Sequence, residues 1–267
     1  MDIKVVLKGG GDLGTGVAHR LHRAGMKIII TELSKPLVIR RTVAFASAIY
    51  SGVVEVEGVR ASKVDSLEEA LAAHERGEIP VLIDPQAQVV AQWEPDVVVD
   101  AIMAKRNTGT KITDAPLVIG LGPGFEAGLD VHAVVETARG HNLGRVILAG
   151  RAEPDTGLPG EVAGYTVQRV VRAPSSGTFQ AVRQIGDRVE AGAIVGYVGS
   201  QPVRAAIGGV LRGLIADEVE VVEGMKLGDV DPRGVVEYCF TISDKARSIG
   251  GGVVEAILYL GRIKGLL

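Results

Sequence analysis

The sequence predicts an α/β fold: a parallel-sheet domain over residues 1–150, a smaller β-rich domain over 151–241 and a C-terminal helix over 242–267. Three observations carry this expectation. A short apolar run, Val5–Leu7, ends in a cluster of glycines and passes into a helical pattern. Further apolar runs recur at Ile28–Ile30, Val81–Ile83, Val97–Val99, Leu117–Ile119 and Val146–Leu148, several of them separated by helical stretches. From about residue 151 the texture turns to short β-rich pieces divided by Gly and Pro, and those pieces repeat.

Taken in order, Val5–Leu7 reads as a buried strand that stops at the glycines. Leu13, Val17, Leu21 and Ala24 then fall at helical spacing, and Gly25 ends that helix. Ile28–Ile30 follows as a second strand, so the opening reads as a βαβ crossover. Helical stretches are expected over 66–76 and 130–139. Continuous apolar strands of this kind sit in a parallel sheet covered on both faces.

Gly9, Gly11 and Gly14 fit G-x-G-x-x-G in that setting, and Glu32 ends the second strand eighteen residues beyond Gly14. In a Rossmann-like domain the first glycine makes the tight turn and the second lets backbone N–H groups approach a pyrophosphate. The third brings helix against sheet, and the acid accepts from a ribose hydroxyl. Gly9, Gly10, Gly11, Asp12, Leu13, Gly14 and Glu32 are therefore candidate nucleotide-binding residues. The competing reading is a plain tight turn with Glu32 as a solvated strand end. Asp12 favours it, because a carboxylate beside a pyrophosphate repels it unless Asp12 turns back to cap the helix at Leu13. Arg40-Arg41 reads either as a phosphate neutraliser or as the wet face of a helix. Two further segments follow strands at the edge where open α/β sheets take ligands. Lys105 and Arg106 are candidates to hold an anion, and Gly122 and Gly124 to offer backbone donors; a cationic loop and a chain turn are the plain readings of the same residues.

Arg151 to Gly160 reads as the linker. A shift of 32 residues superposes Val171-Arg172-Ala173 on Val203-Arg204-Ala205, Gly177 on Gly209, Val189 on Val221 and Gly196 on Gly228, so two copies of one short β unit are expected. The first copy, Ala173 to Phe179 followed by Ile185 to Gly192, resembles biotinyl and lipoyl carrier domains, which implies a β barrel-sandwich hybrid. Those domains carry their modified lysine on the hairpin between the copies, where this chain has Gly199-Ser200-Gln201-Pro202, so neither biotin nor lipoate is expected. Asp229 and Asp231 read as turn formers rather than cation ligands, and no metal is assigned. From Ser243 to Arg262, Ile249, Val253, Ala256, Ile257 and Leu260 share a helical face that docks on the body or makes a homo-oligomer contact.

A formal charge of −3 with acids and bases interspersed gives no field that gathers nucleic acid, so a small molecule or a protein is the expected partner. The lone Cys239, in a run from Val235 to Thr241 read as a strand, excludes an internal disulfide and a Cys-rich metal site. His19, His22, His74, His132 and His141 are scattered, the first four on expected helices at default surface positions. Met1 to Lys4 lacks the pattern of a signal peptide, and no apolar stretch approaches the ~20 residues that span a bilayer. A cytoplasmic protein without membrane contact is expected.

Five segments in order are Gly9 to Ala18, Ile39 to Arg41, Ala104 to Thr110, Gly120 to Phe125 and Asp229 to Arg233. Together they resemble the YqeB-type family associated with selenium-dependent molybdenum hydroxylases, which in its Rossmann part is similar to XdhC-type proteins. Position 14, commonly Ala in that family, is Gly here. The resemblance implies an accessory or maturation protein that binds a nucleotide, or a dinucleotide form of the molybdenum cofactor, at Gly9 to Gly14 and presents it to a molybdenum hydroxylase. Two alternatives stay open. One is an NAD(P)-dependent oxidoreductase with Lys105 as the proton donor; the other is a non-catalytic scaffold. No catalytic residue is assigned.

Overall fold

The structure, a computed structural model, describes residues 3–267; Met1 and Asp2, where the segment read for a signal peptide begins, lie outside them. The chain divides into two units. The first takes the residues up to Pro36, Ala44–Asp155 and Ile242–Leu267, and the second takes Leu37–Val43 and Thr156–Thr241. This differs from a partition into 1–150, 151–241 and 242–267 in three places, the first being that residues 151–155 stay with the first unit. The segment 37–43 goes with the second unit because Leu214 N–H donates to Ile39 O at 2.8 Å and Arg41 Nε to Leu214 O at 2.7 Å. The last helix goes with the first unit for reasons of packing given below.

The first unit opens with β1 (Lys4–Lys8), α1 (Asp12–Arg23) and β2 (Lys27–Glu32). It continues through α2 (Ala48–Ser51), β3 (Val53–Val56), β4 (Val59–Val64), α3 (Leu67–Glu75), β5 (Ile79–Ile83), α4 (Val89–Trp93), β6 (Val97–Asp100) and β7 (Leu117–Leu121). Short strands β8 (Glu126–Ala127), β9 (Ala133–Val135), β10 (Val146–Ile147) and β11 (Gly150–Arg151) follow. Nine of the strands form one sheet in the order β10-β9-β7-β6-β1-β2-β5-β4-β3. β1 pairs in parallel with β2 and β6, which sets Leu7 beside both Ile30 and Val99 at its centre.

That sheet is not the purely parallel one expected. Both of its edges are antiparallel, β3 on β4 and β10 on β9. The β3–β4 reversal is a two-residue turn, Glu57-Gly58, with both residues at positive φ (47° and 78°), the backbone a tight hairpin demands. At the other edge the expected helix over 130–139 does not form. Ala133–Val135 is a fully buried strand instead. The Glu136 carboxylate, 1% exposed, then accepts from the amides of Thr137 (2.6 Å), Ala138 (2.7 Å) and Glu153 (2.7 Å), taking backbone donors that a helix would use.

α3 forms within the expected stretch 66–76 and is capped by the Ser66 hydroxyl, which accepts from Glu69 N–H at 3.1 Å. The last helix, Asp244–Ile263, is capped in the same way by Ser243 and is labelled α5. Close packing explains two of its three consecutive glycines, Gly250 and Gly252, whereas a Cβ at Gly251 would meet open space. A Cβ at Gly250 would stand 2.7 Å from Gly16 O of α1, one at Gly16 would stand 2.7 Å from Ala246 O, and one at Gly252 would meet Gly144 O. Ile249, Val253, Ala256 and Ile257 complete the buried face.

In the second unit the strands are β12 (Val170–Arg172), β13 (Gly177–Ala181), β14 (Arg188–Val189), β15 (Ile194–Val198), β16 (Gln201–Arg204), β17 (Gly209–Leu214), β18 (Glu220–Val221) and β19 (Lys226–Asp231). They form two four-stranded sheets, β12-β19-β17-β14 and β16-β15-β13-β18. β17, β18 and β19 lie 32 positions after β13, β14 and β15, so each sheet draws two strands from each copy of the repeat. The run from Val235 to Thr241 is not a strand. Val236–Cys239 forms a short 3-10 turn, with Cys239 fully buried.

Because the α1–α5 crossing depends on glycine, Gly250→Val is expected to lower stability by about 1–3 kcal/mol through overpacking. A urea unfolding midpoint equal to that of the wild type would contradict the close approach.

Candidate functional site

β1, β2, β6 and β7 run parallel, so the loops after them share one edge of the sheet. The first is the glycine turn. Gly9 sits at φ +94°, in the region open to glycine, and its N–H donates to Thr31 O at 2.9 Å. A Cβ at Gly14 would lie 2.2 Å from Gly9 O, so no side chain fits at that position. Gly10 N–H donates to Glu32 Oε1 at 2.7 Å, and Leu33 N–H donates to Oε2 at 3.0 Å. The Gly10 carbonyl in turn accepts from Ala46 N–H (2.9 Å) and the Thr15 hydroxyl (3.0 Å).

Glu32 is thus only 9% exposed and turned onto its own turn, contrary to the solvated strand end of the plain reading. Burial pushes its carboxyl above the ordinary value, while the Gly10 and Leu33 amides pull it back. Asp12 does not cap a helix at Leu13. Gly11 is the N-cap, and Asp12 is the first helical residue, where a carboxylate suits the positive end of the helix dipole. Thr15 N–H, bonded to Gly11 O at 2.7 Å, makes the first bond inside α1.

The loop after β6 is strained, with Met103 and Lys105 at φ +61° and +62°. It is anchored by Asp100, 1% exposed, which accepts from the Thr110 hydroxyl at 2.6 Å and from Ile102 N–H at 3.1 Å. Lys8 Nζ donates to the same hydroxyl at 2.5 Å. Lys105 is ion-paired with Asp155 at 2.5 Å. The loop after β7 packs against it. A Cβ at Gly124 would stand 2.7 Å from the Arg106 backbone, and one at Gly122 would strike Thr137 Oγ1. Gly122 N–H is already given to Val135 O at 2.8 Å, which removes it as a ligand donor.

Two cations at this edge escaped the sequence reading. Arg139 makes a bidentate pair with Asp244 at 2.9 and 3.2 Å. Lys245, on the first turn of α5, has its ammonium pushed below the ordinary lysine value by burial and by the positive charges of Arg139 and Lys105, with Asp12 and Glu136 opposing. Lys245 therefore stands within electrostatic reach of the glycine turn and of the β6 loop. More than two hundred residues separate it from Asp12 in the chain, so no local pattern could have flagged it.

The remaining candidates are spoken for. His19 is buried at 6% exposure, His74 Nε2 bonds Ile28 O at 2.9 Å, and His132 Nδ1 accepts from Val118 N–H at 3.0 Å. In the second unit Arg40 donates to Tyr238 O (2.8 Å) and Thr241 O (3.3 Å), so Arg40-Arg41 is neither a helix face nor a solvated pair. Asp229 pairs with Arg169 at 3.1 Å. Asp231 pairs with Arg233 at 2.6 Å and Arg212 at 3.3 Å; burial works against its ionisation, but the two arginines prevail and hold it below the usual carboxylate range. Among the described residues no helix is long and apolar enough to cross a membrane.

No family model matches the chain. An Escherichia coli (strain K12) protein whose printed name is uncharacterized protein YqeB is 49% identical over 256 residues. The match takes in 96% of this chain and 47% of that protein, so the chain spans about half the length of the curated relative it matches. Similar solved structures include an aspartoacylase family protein from Mesorhizobium loti, at 14% identity and TM-score 0.27, covering 86% of this chain and 85% of that one. The product-bound ectoine utilization protein EutE (DoeB) from Ruegeria pomeroyi gives 15%, 0.26, 86% and 85%. A succinylglutamatedesuccinylase/aspartoacylase from Rhodobacter sphaeroides gives 14%, 0.27, 86% and 85%. At these scores none of the three bears on chemistry here.

The comparisons correct the expected identity. The relative's printed name carries no role with selenium or molybdenum. The mixed sheet with two antiparallel edges replaces the purely parallel Rossmann-like class, and the biotinyl/lipoyl-like assignment and the role beside a selenium-dependent molybdenum hydroxylase do not stand.

Glu32→Ala leaves the buried Gly10 amide without its acceptor and is expected to cost about 1–3 kcal/mol in urea unfolding. The wild-type contribution linked to the raised Glu32 carboxyl is present below the ordinary value of 4.5 and fades as pH rises through the higher folded value. The variant should lack that slope. An unchanged midpoint and slope would refute the lock.

Proposed function

We propose that the glycine turn, the first turn of α1 and the cations Lys105, Arg139 and Lys245 bind the phosphate part of an anionic, nucleotide-type small molecule. The observation that carries this reading is the state of Lys245. Its ammonium is partly desolvated and pressed by two other cations beside the N-terminus of a twelve-residue helix, a combination that a bound anion relieves. Arg106 and Gly124 border the same edge. Gly10 and Gly122 have their amides committed, so within the loops the donors come from the turn between Gly11 and Gly14. Glu32 serves by holding that turn in shape, its two oxygens already accepting from the backbone. Lys105 is held by Asp155 and is poorly placed as the proton donor an NAD(P)-dependent oxidoreductase would need, so no observation favours that second reading.

Calorimetric titration with NAD, NADP, CTP and pyrophosphate tests the proposal. Binding of at least one is expected. An anion raises the depressed Lys245 ammonium toward 10.5, so the complex should take up protons above neutral pH, and Lys245→Met should abolish that uptake. Gly11 lies in extended backbone (φ −61°, ψ 179°), which a larger residue can adopt, so Gly11→Val should fold and lose the ligand. No heat from any of the four ligands would contradict the reading, as would unchanged affinity in Gly11→Val.

A further inference from the structure

The outward face of α5 carries a second message, independent of the glycine turn. Leu258, Tyr259 and Ile263 are exposed at 36%, 53% and 66% while Val253, Ala256 and Ile257 on the other face are buried. With Glu255 and Arg262 they fall at helical spacing on one stripe. Glu255 and Arg262 lie seven positions apart, about 10 Å along the helix, too far to pair with each other. Neither side chain makes a hydrogen bond or ion pair among the described residues.

We propose that this stripe pairs antiparallel with the same stripe of a second copy of the chain. The argument is self-complementarity. A two-fold axis between positions 258 and 259 sets Leu258 against Tyr259 of the second copy and Tyr259 against its Leu258. The same operation sets Glu255 against Arg262 and Arg262 against Glu255, and it places Ile263 opposite the half-buried Val254. Each opposite pair is then apolar with apolar or acid with base. This is the isologous arrangement that a closed dimer requires. A parallel pairing would set Glu255 on Glu255 and Arg262 on Arg262, with like charges repelling twice.

Sedimentation equilibrium of the full chain across the micromolar range tests the pairing, with circular dichroism as the check on folding. The wild type is expected to dimerise. Glu255→Arg or Arg262→Glu alone should weaken dimerisation about tenfold or more, since each turns two attractive contacts repulsive. The double variant, Glu255→Arg with Arg262→Glu, should restore it, because the swapped charges again face their opposites. A wild type that stays monomeric at every concentration overturns the proposal, including the case in which it binds only a polypeptide matching the relative's remaining half. Dimerisation unaffected by the single reversals overturns it equally.

Discussion

The contact between Gly9 O and the Cα of Gly14 is the constraint on which the first unit depends. It is too close for any side chain, and it brings the start of α1 down onto the end of β1. Glu32 completes the arrangement from the neighbouring strand by taking the Gly10 amide, while the Gly10 carbonyl is taken by Ala46 and Thr15. A turn whose backbone groups were left unpaired at this depth would cost 1–3 kcal/mol for each. The paired turn is rigid, and it aims the first turn of α1 at one place on the sheet edge.

The same economy of space recurs at the far end of the chain. Gly16 and Gly250 allow α1 and α5 to approach closely, and the approach puts Lys245, at the start of α5, within reach of Asp12, at the start of α1. The cation therefore arrives at the glycine turn by helix packing rather than by sequence neighbourhood. Its charge is disfavoured by burial and by two positive neighbours, with Asp12 and Glu136 opposing, the kind of perturbation that clusters at functional sites.

Local elements were legible in the sequence where their chemistry is local. The strand at Val5–Leu7, the helix after it, the strand at Ile28–Ile30 and the helix within 66–76 lie where spacing put them. The 32-residue repeat likewise appears as equally spaced strands. What was misread depends on partners far away in the chain. A strand at Ala133–Val135 competes with a helical pattern, and the Glu136 carboxylate decides the outcome through Glu153. The antiparallel edge of β3 on β4 turns on a hairpin at Glu57-Gly58 that lacks the usual Asn or Asp. Of the candidate site, the glycines were visible because each position restricts the backbone, whereas Lys245 and Arg139 were not, because α1–α5 packing brings Lys245 to Asp12 and a pair with Asp244 brings Arg139 to the start of α5.

The central claim, that the first turn of α1 is a phosphate site shaped by the Glu32-locked glycine turn, is tested most directly by amide chemical shifts during a pyrophosphate titration. The account predicts saturable shifts at Gly11, Leu13 and Gly14 and at the Lys105 and Lys245 amides, with Gly10, already bonded to Glu32, moving least of the turn. Shifts absent from Gly11 to Gly14, or confined to another part of the chain, would contradict it.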